Sequence, residues 1–344
     1  MNSTELNAIA RLLVAPGKGI LAADESTPTI TKRFKALDIP CTEETRRAYR
    51  ETLFTTPGLS EFISGVILYD ETIRQKGQDG RSFVDVLRKE EIIPGIKVDK
   101  GAKPLAQFTG DKITEGLDGL RERLTEYRNL GARFTKWRAV ISIGEHLPTV
   151  AALRANAHAL GRFAALSQEA GLVPIVEPEI LMDGDHTIDQ CACTTELALK
   201  IVFDELFQQR VGFEQMLLKP NMVLAGKDCR RQPDALEIAE KTLRCLLRTV
   251  PSAVPGIVFL SGGQTDVQAT ENLNAINKIG GAPWQLSFSF GRALQSPALQ
   301  AWKGSDENIH AAQEALFNRA KFNSLARYGH YFNDLEKETE TTGV

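Results

Sequence analysis

The feature that most limits how this chain can fold is an alternation repeated eight times. Short apolar or β-rich segments occupy residues 19–24, 63–69, 92–99, 133–143, 172–180, 216–223, 256–262 and 284–291. Helical spacing fills most of the gaps between them. Leu117, Leu120, Leu124 and Tyr127 recur every three or four residues before Gly131. Leu153, Ala157, Leu160 and Phe163 do the same before Gly171, and each glycine is placed as a helix C-cap. Ala239, Leu243 and Leu246 form a third stripe, which stops before Pro251. A further helix is expected near residues 42–55, and another from about Thr265. Strand alternating with helix implies a parallel sheet. Eight such units in about 300 residues imply an α/β fold of the closed (β/α)8 TIM-barrel type. An open doubly wound sheet is the competing arrangement. It normally carries a glycine-rich dinucleotide loop after its first strand, and that position here reads Ala22-Ala23-Asp24-Glu25-Ser26-Thr27. No Pro- or Ser-rich linker divides the chain. Residues 1–344 therefore read as one domain, with a mobile polar tail from about residue 330.

Two strands hold residues that a purely structural sheet does not need. Leu217-Leu218-Lys219-Pro220-Asn221-Met222 carries a lysine at the end of an apolar run, and buried strands rarely hold an ammonium group. Either Lys219 snorkels from the strand end into solvent, or it sits in a cavity where lost hydration favours the neutral amine. A neutral amine attacks carbonyl carbon and forms a Schiff base. In Phe134-Thr135-Lys136-Trp137-Arg138 the two cations are two residues apart and share a face. That face is either solvated or lines the same cavity as Lys219. In a shared cavity, two like charges about 4 Å apart, at an effective dielectric of about 20, repel by about 4 kcal/mol. Lys136 would then favour the uncharged nucleophile further.

In a barrel, chemistry collects at the C-terminal ends of the strands. Read in order, those ends carry Asp24, then Lys97 and Asp99, Lys136 and Arg138, Glu177 and Glu179, Lys219, Ser261-Gly262-Gly263, and Ser289-Phe290-Gly291-Arg292. Strand ends meet water and are often polar, but that does not explain lysines and glutamates within apolar segments. The glycine-bearing ends suggest phosphate. Ser261-Gly262-Gly263 offers backbone N–H groups beside a helix start, and Arg292 offers a guanidinium fork. Arg33, Lys97 and Arg138 could form a second anion site, which suits a substrate with a phosphate at each end. Glu177, Glu179 and Asp24 could move protons around a Schiff-base lysine. Each glutamate alone could equally be one half of an ion pair.

A net charge of -3 gives no general attraction to nucleic acid or anionic membrane. No apolar run is long enough to span a bilayer, and the first residues lack the regions of a signal peptide. The expected location is cytoplasmic. The five scattered cysteines then read as reduced thiols. His146, His158, His186, His310 and His330 show no paired metal-ligand spacing, and His186 reads as a turn residue.

Taken together, these segments resemble class I fructose-bisphosphate aldolase, the metal-free, Schiff-base type. The resemblance rests on Gly19-Ile20-Leu21-Ala22-Ala23-Asp24-Glu25-Ser26-Thr27, Gly95-Ile96-Lys97-Val98-Asp99-Lys100-Gly101, Lys136-Trp137-Arg138, Val176-Glu177-Pro178-Glu179, Leu218-Lys219-Pro220-Asn221-Met222, Ser261-Gly262-Gly263-Gln264 and Phe288-Ser289-Phe290-Gly291-Arg292. It implies that Lys219 forms the Schiff base and that Glu177 is the acid and base for its formation and release. Asp24 would take the C4-hydroxyl proton, Lys136 would support charge and proton movement, and Glu179 would join the carboxylate set. Ser261, Gly262, Gly263, Ser289, Gly291 and Arg292 would hold one phosphate. Arg33, Lys97 and Arg138 would serve the other, and Arg46 also matches a substrate-site arginine. The resemblance further implies a phosphorylated sugar substrate, no cofactor or metal, and a homotetramer. Three positions depart from the pattern. The chain ends Thr341-Thr342-Gly343-Val344 where vertebrate members end in tyrosine, with Tyr328 and Tyr331 upstream. Ser142 stands at a position cationic in some members, and Phe290 where many carry tyrosine. Two other readings stay open: a different Schiff-base lyase or transaldolase on the same barrel, and a non-catalytic scaffold. Two anion sites weigh against the first, and the set Asp24, Lys136, Glu177 and Lys219 against the second.

Overall fold

A computed structural model describes residues 3–336. Its ten strands are β1 (Gly19–Ala22), β2 (Ile63–Leu68), β3 (Ile93–Lys97), β4 (Ala102–Pro104), β5 (Lys112–Thr114), β6 (Phe134–Ile141), β7 (Val173–Ile180), β8 (Leu217–Leu218), β9 (Gly256–Phe259) and β10 (Gln285–Phe290). Eight of them close into a parallel barrel in the order β1-β10-β9-β8-β7-β6-β3-β2. The eight expected strands are all present, so the TIM-barrel reading holds. β4 and β5, which the apolar pattern does not reveal, form a separate antiparallel hairpin beyond β3. The strand around Lys219 is shorter than its apolar run suggests. Its ladder ends at Leu218, and Lys219 follows in an extended segment whose N–H still donates to Val176 O at 2.8 Å.

Helices form where caps and stripes coincide. The helix Glu43–Phe54 begins at Thr42, whose hydroxyl accepts from the Thr45 N–H while Thr45 bonds back to the Thr42 backbone. The helix Asp266–Ile279 starts the same way from Thr265 and Gln268. The stripe at Leu120, Leu124 and Tyr127 becomes the helix Leu120–Asn129, and Gly131 beyond it takes φ 110°. The expected tail lies, from residue 337 on, outside the described residues. Just before it, Tyr331 is buried and donates its hydroxyl to Glu336 at 2.7 Å.

Period-two alternation divides each long strand between two environments. On β6, Trp137, Ala139 and Ile141 pack outward against the helices, while Phe134 points into the barrel. On β7, Val173 and Ile175 face inward and Val176 and Ile180 outward. The inward residues Ile20, Ile67, Phe134, Val173, Ile175, Leu217 and Val258 form an apolar floor. The helix Ser3–Leu13 closes that floor from the N-terminal end with Leu6, Ala10 and Leu13. Gly95 leaves room for the Phe134 ring, because a Cβ there would lie 2.3 Å from ring atoms. Two residues further along the same inward rows, the apolar floor gives way to charge. That change of layer positions the site.

Candidate active site

Above the floor, at the C-terminal ends of the strands, opens a cavity of about 1250 Å³. Asp24, Lys97, Lys136, Arg138, Glu177, Glu179 and Lys219 line it, with Arg33, Ser261, Gly262, Gly263, Ser289, Gly291 and Arg292. The barrel register sets these neighbours. Lys97 of β3 is opposite Lys136 of β6, and Arg138 of β6 is opposite Glu177 of β7.

At the base of the cavity four charges meet. Lys136 Nζ lies 2.6 Å from Asp24 Oδ2 and 3.1 Å from Glu177 Oε2. Glu177 Oε1 lies 3.2 Å from Lys219 Nζ. Lys219 is 4% exposed and Lys136 3%, which removes the snorkelling and solvated-face readings for these lysines. The two lysines do share one cavity, as the second reading required, and the Glu177 carboxylate lies within ion-pair distance of both amines. Glu177 Oε2 meets Lys136 at ion-pair distance but accepts no aligned hydrogen bond.

Burial and charge oppose each other here, and charge prevails. Burial would raise the Asp24 carboxyl, but Lys136, then Lys219 and Lys97, hold it well below the usual carboxylate range. Burial also opposes ionisation of Glu177, and Lys136, Lys219 and Arg138 together bring it below its ordinary value. Burial would lower Lys136, yet Asp24, Glu177 and Asp99 push it above the usual lysine range. These directions favour a charged Lys136 and ionised Asp24 and Glu177 in the resting site.

The flanks of the cavity differ in character. On one side Ser289 is 1% exposed with no partner for its hydroxyl, and Ser261 is buried beside it in the lining. Gly291 begins the helix Arg292–Trp302 without a side-chain cap, so first-turn N–H groups are open to an anion. Gly263 takes φ 80°, and a Cβ there would meet Met182 Sδ at 2.5 Å. On the other side the cations already have anionic partners. Arg33 Nη1 donates to Glu25 Oε1 at 2.5 Å, Lys97 Nζ to Asp99 Oδ1 at 2.5 Å, and Arg138 to Glu179. Glu179 thus behaves as the ion-pair partner of Arg138, one of the two roles its position allowed.

Arg46 does not join the cavity wall. Its helix directs the guanidinium to Glu71, which accepts at 2.8 and 2.6 Å. The sequence match for this arginine is therefore not matched by position. His186 lies in a loop as expected, but its ring is buried and burial lowers its pKa. Tyr328 packs near Gly17, at the opposite end of the barrel, and Tyr331 lines a separate groove; neither reaches the cavity. Sequence reasoning missed Glu25, Arg50 and Gln295, which form a buried network behind Asp24. Only Glu25 gave a signal, as a second carboxylate at the end of β1.

Comparison with known proteins agrees with this geometry over almost the whole chain. A family model described as fructose-bisphosphate aldolase class-I matches residues 5–344. A Xanthomonas campestris protein named probable fructose-bisphosphate aldolase class 1 is 56% identical over 330 residues, covering 96% of this chain and 99% of that protein. A Dictyostelium discoideum fructose-bisphosphate aldolase is 53% identical, covering 98% of this chain and 94% of its own. Among solved structures, fructose-bisphosphate aldolase from Plasmodium falciparum, in complex with TRAP and a small-molecule inhibitor, superposes with a TM-score of 0.95. It is 50% identical, with 96% of each chain covered.

Proposed function

Because the chain belongs to the class I fructose-bisphosphate aldolases, we propose that Lys219 is the amine that forms their Schiff base. The enzyme is a lyase. It reversibly cleaves fructose 1,6-bisphosphate to dihydroxyacetone phosphate and glyceraldehyde 3-phosphate. The observation that carries the assignment is the single carboxylate of Glu177 set between two buried amines, 3.1 Å from Lys136 and 3.2 Å from Lys219.

The steps follow from those distances. A proton leaving the Lys219 amine has Glu177 Oε1 as its acceptor. The freed lone pair attacks C2 of the ketose, the C=O π pair moves to oxygen, and that oxygen takes a proton from the attacking nitrogen, giving a carbinolamine. Glu177 returns its proton to that hydroxyl, which leaves as water, and a C2=N iminium remains. Asp24, ionised and fixed by Lys136, then takes the C4-hydroxyl proton. The C4–O bond becomes a carbonyl, the C3–C4 bond breaks, and its electron pair moves into the iminium to give an enamine. Glyceraldehyde 3-phosphate departs. Protonation at C3 and addition of water to the iminium release dihydroxyacetone phosphate and the free amine. Lys136 stays charged throughout and steadies the negative charge that moves between Asp24 and Glu177.

The open N–H groups at Gly291, with Ser261, Gly262, Gly263, Ser289 and Arg292, would hold the phosphate on C1, one carbon from the Schiff base. Arg33, Lys97 and Arg138 would meet the phosphate at C6. The iminium serves as the electron sink, so no cofactor or metal is needed for the bond to break. Two further proposals accompany this reading: a homotetramer, and a cytoplasmic location, as the names of two cytosolic Arabidopsis relatives suggest.

Borohydride reduction in the presence of dihydroxyacetone phosphate, followed by peptide mapping, tests the assignment. A triose-phosphate adduct on Lys219 and undiminished turnover in EDTA are expected. An unmodified Lys219 in an inactivated enzyme would rule it out.

A further inference from the structure

Glu25 follows Asp24 directly, yet its carboxylate serves a different set of groups. Oε1 accepts from Arg33 Nη1 at 2.5 Å and from Gln295 Nε2 at 2.7 Å, and Oε2 accepts from Arg50 Nη2 at 2.5 Å. Gln295 Nε2 also donates to Ala22 O at 2.7 Å, and its Oε1 accepts from Tyr49 Oη at 3.1 Å. Glu25, Arg50 and Gln295 are 9%, 3% and 1% exposed, so this is a built network and not a surface pairing. Its members come from the loop after β1, from the helix Glu43–Phe54 and from the helix Arg292–Trp302, whose first turn borders the other phosphate site. Burial opposes the charge on Glu25, but Arg50 and Arg33 outweigh it and bring the carboxyl below its ordinary range.

Arg33 lies on the helix Thr27–Lys35 and lines the cavity. A free arginine must give up rotamer freedom to grip a phosphate. One held by a single Nη keeps its remaining N–H groups for a two-point contact and has lost that freedom in advance. Glu25 can hold it in this way only if Glu25 is itself fixed. Gln295 fixes Oε1, the oxygen that binds Arg33, and Arg50 neutralises the charge from behind.

We propose that Glu25 is a positioning residue that presets Arg33 for the phosphate remote from the Schiff base, with Gln295 and Arg50 holding Glu25 in register. This rests on the reading of Arg33 given under Proposed function. The test compares fructose 1,6-bisphosphate with fructose 1-phosphate, which lacks the remote phosphate, for the parent, Glu25→Gln, Gln295→Met and Arg33→Ala. Glu25→Gln should raise KM for the bisphosphate about tenfold, with kcat and the constants for fructose 1-phosphate within about twofold of the parent. Gln295→Met, which keeps the Glu25–Arg33 pair but removes the amide that fixes Oε1, should shift KM the same way by a smaller factor, and it carries the test if Glu25→Gln does not fold. Equal loss of kcat on both substrates would overturn the inference by placing Glu25 in the chemistry of Asp24. Unchanged kinetics in the folded Glu25 and Gln295 variants, with a raised bisphosphate KM in Arg33→Ala, would overturn it while leaving the phosphate reading intact. If Arg33→Ala itself leaves both substrates unaffected, the phosphate reading fails and the inference falls with it.

Discussion

Under the proposed assignment Lys136 serves both catalysis and stability, because it neutralises two carboxylates that the fold has largely taken out of water. Replacing it with methionine leaves Asp24 and Glu177 buried with less compensating charge. Breaking a buried pair in this way costs about 3–5 kcal/mol, and turnover should fall by orders of magnitude. The pH dependence has a definite sign. Asp24 and Glu177 are depressed below ordinary values of 3.8 and 4.5, so their contribution to stability is present above that range and is lost as pH falls through the depressed values. Lys136 is raised above 10.5, so its contribution is full below that value and is lost only as pH rises through the raised one. In Lys136→Met, burial is opposed by fewer cations and the carboxyl values rise. The stability deficit relative to the parent should therefore be larger at pH 8 than at pH 5 in denaturant titrations. Equal deficits at both pH values would contradict the coupling. At this scale the sequence was legible where period two applies: Lys136, Arg138, Glu177 and Glu179 face the cavity as their spacing implies. Gln295 was not, because its bond to Glu25 joins residues 270 positions apart and no local pattern encodes it.

At the scale of strands and helices, the inward row of β6 shows how one element serves two purposes. Phe134 fills the barrel floor and Lys136, one step along the same row, lines the cavity. The Phe134 ring fits because Gly95 on the neighbouring strand has no side chain. Phe134→Ala should cost about 3–5 kcal/mol through the cavity it leaves. Gly95→Ala should cost about 1–3 kcal/mol through overpacking. The two changes touch the same space, so the double variant should lose less stability than the sum, as measured by urea unfolding; strict additivity would mean that they do not share that space. The strands were legible as elements because each is a short apolar run followed by a helical stripe. The hairpin β4–β5 was not, since β4 is exposed throughout and β5 passes from exposed Lys112 to buried Thr114, so neither three-residue strand alternates. The extent of β8 was also hidden, because Met222 and Val223 are buried without pairing in a ladder and look like strand in sequence.

Across the whole molecule the two ends of the barrel carry separate tasks. The C-terminal end holds the charged cavity, and the N-terminal end is closed by the helix Ser3–Leu13, beside which the last long helix, Ile309–Arg327, ends. Arg327 joins them. Its guanidinium is buried without a carboxylate, donates to the carbonyls of Ala15, Lys18 and Leu286 and to Gln285 Oε1, and is lowered by burial to about 10. A cation held only by neutral acceptors is a tie between chain ends and has no route to the reacting atoms. Arg327→Met should therefore leave those acceptors unpaired and destabilise the fold by about 1–3 kcal/mol, while kcat and KM of the folded enzyme stay within about twofold of the parent. Leu13→Ala, in the plug itself, should lose about 2–5 kcal/mol with the same kinetic indifference. Thermal melts paired with assays well below the transition check both. A matching fall in kcat would show that the floor and the charged layer above it are mechanically linked, because the apolar layer between them is close-packed and has no other way to pass a change from one end to the other.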